Sequence, residues 1–262
     1  MDQPELGATF RHEGVAAAYR YRPPYPEDVF DRLEELIVDE PRAVLDIGAG
    51  EGAIARPLAA RVERVDAVDI SAAMVDVGRQ RPGGDQPNLR WYVDAVETAE
   101  LRGPYALVAA GASLHWMRGE ETIARLAEVM TPNAQLAVIT HGPRDVPWRE
   151  DLVTVLKRHS RSPGYDPAFR VVDALREQGL LEVTGSATST AVPFRQSVAD
   201  YIEQFHSTAA LAREHMSSNE SAAFDAAIEE VVRPWASADG TLALTIVADL
   251  TWAHPSERAR RV

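Results

Sequence analysis

The sequence predicts an α/β protein built on a mostly parallel, doubly wound sheet, and three observations lead there. Short apolar-rich runs recur at residues 43–45, 65–69, 89–93, 105–110 and 135–140. Stretches with helical spacing of their apolar residues separate them. Glycine stands at every second position from Gly48 to Gly52, directly after the first run. Strands alternating with helices at this spacing describe successive β-α units, because parallel neighbours need a crossover between them.

The chain opens on an arm, residues 1–25, rich in aromatic residues and arginine. Residues 16–21 read as a helical turn, after which Pro23, Pro24 and Pro26 force an extended connection. From Glu27 a helix is expected, with Val29, Phe30, Leu33, Leu36 and Ile37 at helical spacing. The run 43–45 has the continuous apolar character of a strand buried on both faces, and Asp46 ends it. Gly48, Gly50 and Gly52 then let the backbone turn tightly and approach a ligand with no Cβ in the way. A helix over 53–61 would aim its free N–H groups and positive dipole end at that ligand. Ser71 reads as the N-cap of a helix running to about Gln80. A further helix is expected over 120–130, followed by a turn at Pro132 and Asn133.

The second half is less regular. Residues 148–159 and 169–178 read as helices, with Gly179 stopping the latter. Residues 181–194 read as a long strand interrupted at Gly185, residues 197–206 and 219–232 as helices, and 242–252 as a final strand. With no repeat and no low-complexity linker, residues 1–262 read as a single domain. Residues 143–180 and 195–238 are helical insertions that would cap the site.

Composition narrows the function. The chain has 262 residues, of which 45% are hydrophobic, enough for a substantial core. Formal net charge is −13, with 40 acidic against 27 basic residues, which argues against a nucleic-acid substrate. The arginines at 258, 260 and 261 read as a solvated end. No run approaches the roughly 18 apolar residues of a membrane helix. Without cysteine, disulfides and thiolate chemistry are excluded, and the cytoplasm is the expected compartment. The histidines lack metal-ligand spacing, so no metal is expected.

The pattern Gly48-x-Gly50-x-x-Ala53 satisfies the loose dinucleotide fingerprint, which keeps an NAD(P)-dependent oxidoreductase open as a rival. Asp69 lies 19 residues beyond Gly50, near the roughly 20-residue offset of an acid that accepts from ribose hydroxyls. Asp46 before the glycines and Asp94 after the third strand favour a different nucleoside cofactor.

The successive stretches VLDIGAGEG, VDAVDIS, YVDAVE and LVAAGASLHWM resemble the motifs of class I S-adenosylmethionine-dependent methyltransferases. The opening YRYRPPYP and the phrase ASLHW are similar to the small-molecule branch that includes trans-aconitate methyltransferases. The resemblance covers roughly residues 10–140. It implies a Rossmann-like, seven-stranded, doubly wound sheet with an antiparallel last strand. It also implies S-adenosylmethionine as cofactor and S-adenosylhomocysteine as product. Gly48, Ala49, Gly50 and the Ala110 carbonyl would then meet the cofactor's amino-acid portion, and Asp46 would orient the glycine loop or reach the amine through water. Asp69 would hold the ribose, Ile70 and Met74 an adenine face, and Asp94 with the Ala95 N–H the adenine edge. Tyr19 and Arg22 would meet the cofactor carboxylate, with His115 against the same pocket.

Methyl transfer asks the protein mainly to hold the acceptor in line and exclude water. A base is needed only when the acceptor carries a proton. His115 and His141, each at the C-terminal end of a strand, are the candidate bases. Trp116, Arg144 and Trp148 are candidate acceptor contacts, with Arg149, Arg195, Tyr165, Phe169, Tyr201 and Phe205 as further candidates. The expected reaction is O-methylation of a carboxylate or hydroxyl on a small molecule. N- or C-methylation, a cofactor-driven rearrangement, and a non-catalytic cofactor-binding partner protein are the alternatives. Monomer and homodimer both remain open.

Overall fold

In the computed structural model, which describes residues 13–162 and 169–261, the strands lie in the order β3-β2-β1-β4-β5-β8-β6, and β7 also pairs with β8. The strands are β1 Ala43–Ile47, β2 Arg64–Asp69, β3 Leu89–Val93, β4 Tyr105–Gly111 and β5 Met130–Pro143, then β6 Leu181–Thr188, β7 Val192–Ser197 and β8 Thr241–Pro255. The first five run parallel to one another, and β8 runs antiparallel to β5, β6 and β7. The order reverses between β1 and β4, which opens a crevice at the strands' C-terminal ends.

The helices are α1 Glu13–Ala18, α2 Asp28–Glu35, α3 Ala55–Ala59, α4 Ala72–Gln80, α5 Gly119–Val129, α6 Arg149–His159, α7 Val171–Glu177, α8 Val198–His206 and α9 Ser218–Val232. Alternate residues of β1 serve opposite faces of the sheet. Val44 packs with Phe30, Leu33 and Leu58, whereas Leu45 and Ile47 pack with Ile123 and Leu126. A third core lies in the cap, where Val155, Tyr201, Phe224 and Ile228 cover Leu242, Leu244 and Ile246 of β8. The arm helix α1 buries Val15 and Ala16 and touches both α4 and α8, so it spans sheet and cap.

Three expectations change. Among the described residues eight strands form rather than seven, because 181–194 divides at residues 189–191 and both pieces pair with the 15-residue β8. Gly185 is a register shift inside β6, where the Trp252 ring leaves no room for a Cβ. The turn at Pro132 and Asn133 is instead an irregularity within β5, whose pairing to β4 jumps from Met130 to Gln135. The helix after the glycines begins only at Ala55 and is five residues long. The first twelve residues, and Tyr165 with its neighbours, lie outside the described residues.

Candidate functional site

The crevice is built outward from the glycine loop. Gly48 has φ +61°, and a Cβ there would fall 2.5 Å from the Ser113 Cβ, so no other residue fits without movement. Ser113 in turn donates its hydroxyl to the Ile47 carbonyl at 2.6 Å, tying the end of β4 to the end of β1. Ala49 donates to the Val68 carbonyl at 3.0 Å. Asp69, at the C-terminal end of β2 and 8% exposed, accepts from the Gly50 N–H at 2.7 Å and from the Ser71 N–H at 2.8 Å. Burial raises its carboxyl above the usual range, and the two N–H groups work against that rise.

Asp46 is buried beneath the glycine loop. Its carboxylate accepts from the Ala55 N–H at 3.0 Å and so fixes the start of α3 against β1. Burial pushes it up to about 8, and nearby Asp69 adds to the effect. Because Asp46 occupies that N–H, the helix end is not free to meet a ligand as the sequence suggested.

A cavity of about 220 Å³ lies over these strand ends. Gly48, Asp69, Ile70 and Met74 form one side, and Asp94 and Ala95 a second. Tyr19 reaches it from the arm and Trp116 from the far rim. Gly50 sits behind, where a Cβ would lie 3.0 Å from the Met74 methyl and 3.9 Å from the Tyr19 ring. Asp94 is exposed and spends one oxygen on its own turn, accepting from Ala95 N–H at 2.8 Å and from the Thr98 hydroxyl at 2.9 Å.

Some expected residues are displaced. Ala110 is fully buried within β4, and Gly111, Ala112 and Ser113 are the lining residues instead. Ala112 holds φ +51°, an uncommon conformation for a residue with a side chain, and donates to the Ile139 carbonyl at 2.9 Å. Glu97 and Arg118 also line the cavity, and Glu97 accepts from the Arg118 N–H at 3.0 Å and the Thr122 hydroxyl at 3.0 Å. Sequence reading missed them, although Glu97 three residues after Asp94 was a usable signal. Trp116, expected at the acceptor, lines the same cavity as Asp69.

The arm holds Arg22 behind Tyr19, outside the residues that line the cavity. Its guanidinium stacks 4.1 Å over the Tyr19 ring and donates to the Ser207 hydroxyl at 2.7 Å and the Ser207 carbonyl at 3.2 Å. His115 stacks against Trp116 at 4.6 Å. Burial, helped by the charge of Arg22, pushes His115 down to about 4, so it is neutral at pH 7. His141 is likewise pushed down to about 4 by burial, with the Pro23 carbonyl opposing the shift and Arg22 adding to it. Its Nε2 lies 2.8 Å from the Pro23 carbonyl, and its ring stacks on Tyr25 at 3.9 Å.

Three acceptor candidates lie elsewhere. Arg144 is exposed and pairs with Asp249 at 2.7 Å on the outer face of the sheet. Arg195 is exposed and pairs with Asp239. Trp148 is 4% exposed and donates to the Tyr201 hydroxyl at 3.0 Å inside the cap core, which also takes Phe205. Helical spacing alone did not separate a core face from a pocket face.

The donor set fits S-adenosylmethionine. One carboxylate stands where a single ribose would meet it, and Ile70 and Met74 offer apolar surface to a flat base. An arm guanidinium held by neutral partners suits a carboxylate. Among the described residues no group of three or more metal-binding side chains occurs, and no helix is long and apolar enough to cross a membrane.

Comparison with known proteins follows this geometry. Residues 44–133 match the family model described as a methyltransferase domain. An uncharacterized methyltransferase of Schizosaccharomyces pombe is 30% identical over 162 residues, which is 60% of this chain and 62% of the relative. A malonyl-[acyl-carrier protein] O-methyltransferase of Halalkalibacterium halodurans is 33% identical over 112 residues, 40% of this chain and 41% of that one. The chain thus spans less than two thirds of either relative. A solved structure of an S-adenosylmethionine-dependent methyltransferase from Geobacter sulfurreducens, in complex with S-adenosyl-L-homocysteine, shares the fold. Its TM-score is 0.55 at 15% identity, over 92% of this chain and 96% of that one.

Proposed function

We propose that the chain is a class I S-adenosylmethionine-dependent methyltransferase and that it methylates an oxygen of a small acid or hydroxyl compound. The observation that carries the proposal is Asp69. It is a buried carboxylate at the end of β2 that pins Gly50 and still faces the cavity. Each ionised carboxyl oxygen accepts more than one hydrogen bond, so Asp69 retains capacity for the two hydroxyls of a ribose. Ile70 and Met74 would cover the adenine, with Asp94 and the Ala95 N–H at its edge. Gly48 would give the methionine portion close backbone access, and Arg22 and Tyr19 would close over its carboxylate.

When bound, S-adenosylmethionine supplies a methyl carbon activated by the positive sulfur. The protein's part is then positional. Trp116 lines the cavity with neutral His115 stacked against it, so this wall adds no second positive charge beside the sulfonium. Excluding water would fall to the arm and cap, and holding the acceptor in line is worth roughly 7–11 kcal/mol. Oxygen as the methylated atom is supported by the malonyl-[acyl-carrier protein] O-methyltransferase among the relatives. Net charge −13 disfavours a nucleic-acid acceptor.

Calorimetry with S-adenosylhomocysteine tests the reading. Saturable one-to-one binding is expected, and absence of binding together with tight NADH binding would refute it.

A further inference from the structure

Resting on that reading, we infer that the acceptor's reacting group carries a proton, as a phenol, enol or alcohol does, and that Nδ1 of His141 receives it.

A peptide carbonyl only accepts, so the 2.8 Å contact between Pro23 O and His141 Nε2 requires the hydrogen on Nε2. Nδ1 is therefore the bare nitrogen. It is shielded from solvent and has no hydrogen-bond partner among the described residues. A buried acceptor left in this state is costly to maintain, and clusters of such groups mark functional sites.

His141 does not itself line the cavity and sits behind its edge. β5 carries His141 two residues beyond Ile139, which pairs with the cavity-lining Gly111 and accepts from the Ala112 N–H. A Cβ on Gly111 would fall 2.7 Å from the Tyr25 hydroxyl, and the Tyr25 ring is the one stacked on His141. The arm, the end of β4 and the end of β5 thus converge beside the cavity. Charged and titratable groups facing His141 are Arg22 and Tyr25 from the arm, while β8 presents only Ala248 opposite it. Both burial and Arg22 keep the ring neutral at pH 7, which leaves the lone pair available.

This chemistry separates the two acceptor classes. A hydroxyl donates into a bare nitrogen, whereas an ionised carboxylate would set lone pair against lone pair. As the acceptor oxygen forms its bond to the methyl carbon, the carbon–sulfur bond breaks with its electron pair remaining on sulfur. The O–H proton passes to Nδ1, so charge and atoms balance and no further reactant is needed. The weak basicity of Nδ1 is sufficient because the hydroxyl oxygen becomes strongly acidic as it is alkylated.

The test uses the full chain saturated with S-adenosylhomocysteine and labelled with ¹⁵N-histidine. Failure to saturate refutes the parent function and not the histidine assignment. In the complex, the ¹⁵N spectrum should show His141 as the neutral Nε2–H tautomer between pH 6 and 8. Added phenol should move the Nδ1 resonance and benzoate should not. An Nδ1–H tautomer, an imidazolium, or no response to either phenol or a small alcohol overturns the inference. His141→Gln keeps a donor near Nε2 but has no acceptor at Nδ1, and His141→Asn does the reverse. With S-adenosylmethionine and phenol, His141→Gln should lose about 100-fold or more in kcat with cofactor affinity within threefold, and His141→Asn should retain the larger share. Unchanged kcat in His141→Gln, or turnover of benzoate alone, overturns it equally.

Discussion

Replacing Asp69 with alanine separates a loop-pinning carboxylate from one that also holds a cofactor. In the native fold it accepts two short bonds from Gly50 and Ser71 while 8% exposed. Removing it leaves two buried N–H groups unpaired at a cost of about 1–3 kcal/mol each. Relief of the buried carboxylate, whose pKa is raised by that burial, offsets part of this, so a net loss of roughly 2–4 kcal/mol is expected. Binding adds a second loss. Two ribose hydroxyls donating to a charged acceptor contribute about 1.5–3 kcal/mol each, which converts to a 10²- to 10⁴-fold weaker Kd. Calorimetry with S-adenosylhomocysteine, run where urea curves show the variant folded, reads the two effects apart. Asp94→Ala is the internal comparison and should lose less, since Asp94 is exposed and one of its oxygens already closes its own turn. An Asp69→Ala protein that is destabilised yet binds within threefold of wild type would refute the ribose assignment and leave Asp69 purely structural.

Two further perturbations probe the same crevice. Gly48→Ala places a side chain at φ +61° for about 1–2 kcal/mol and drives its Cβ to 2.5 Å from Ser113 for about 1–3 kcal/mol more. Adding Ser113→Gly should recover the second part in urea unfolding, and strictly additive losses would disprove the contact. The pH prediction follows from His115, whose folded value of about 4 lies below the ordinary 6.5. Its contribution is fully present above pH 6.5 and is lost as pH falls toward 4, on the order of 3 kcal/mol at most. His115→Gln should flatten that acid limb, and an identical fall between pH 6.5 and 4 in wild type and variant would contradict the burial of a neutral ring.

The sheet was legible where its determinants are local. The first four strands end at Ile47, Asp69, Val93 and Gly111, each at or beside an aspartate or glycine that breaks the apolar run, and observed bounds differ from the predicted ones by at most two residues. β5 was not, because the irregularity around Pro132 is set by its pairing with β4 rather than by its own composition. The division of 181–194 was hidden for the same reason, since β8 supplies the edge for both halves. Asp69, Ile70, Met74 and Asp94, which the sequence placed at or just after strand ends, line one cavity. Arg144, expected near the acceptor mouth from its segment alone, pairs with Asp249, and Trp148 lies in a core because an apolar face does not say what covers it. The left-handed turn at Ala112 left no trace in the sequence, since alanine there gives no glycine-like signal.

The arm is the element whose role grows most once the fold is known. Four of its residues reach in different directions. Tyr19 enters the cavity, Arg22 holds Ser207 of the cap, the Pro23 carbonyl fixes His141, and Tyr25 stacks on that ring. A short segment with only Val15, Ala16 and Ala18 fully buried in its helix has little core of its own, so its position depends on these contacts. Contacts that share one tether are thermodynamically linked: occupancy of the Tyr19 side favours the docked arm, and the docked arm sets the His141 tautomer. Linkage of this kind is reciprocal, so an acceptor seated at His141 must strengthen cofactor binding by the same factor that the cofactor strengthens acceptor binding.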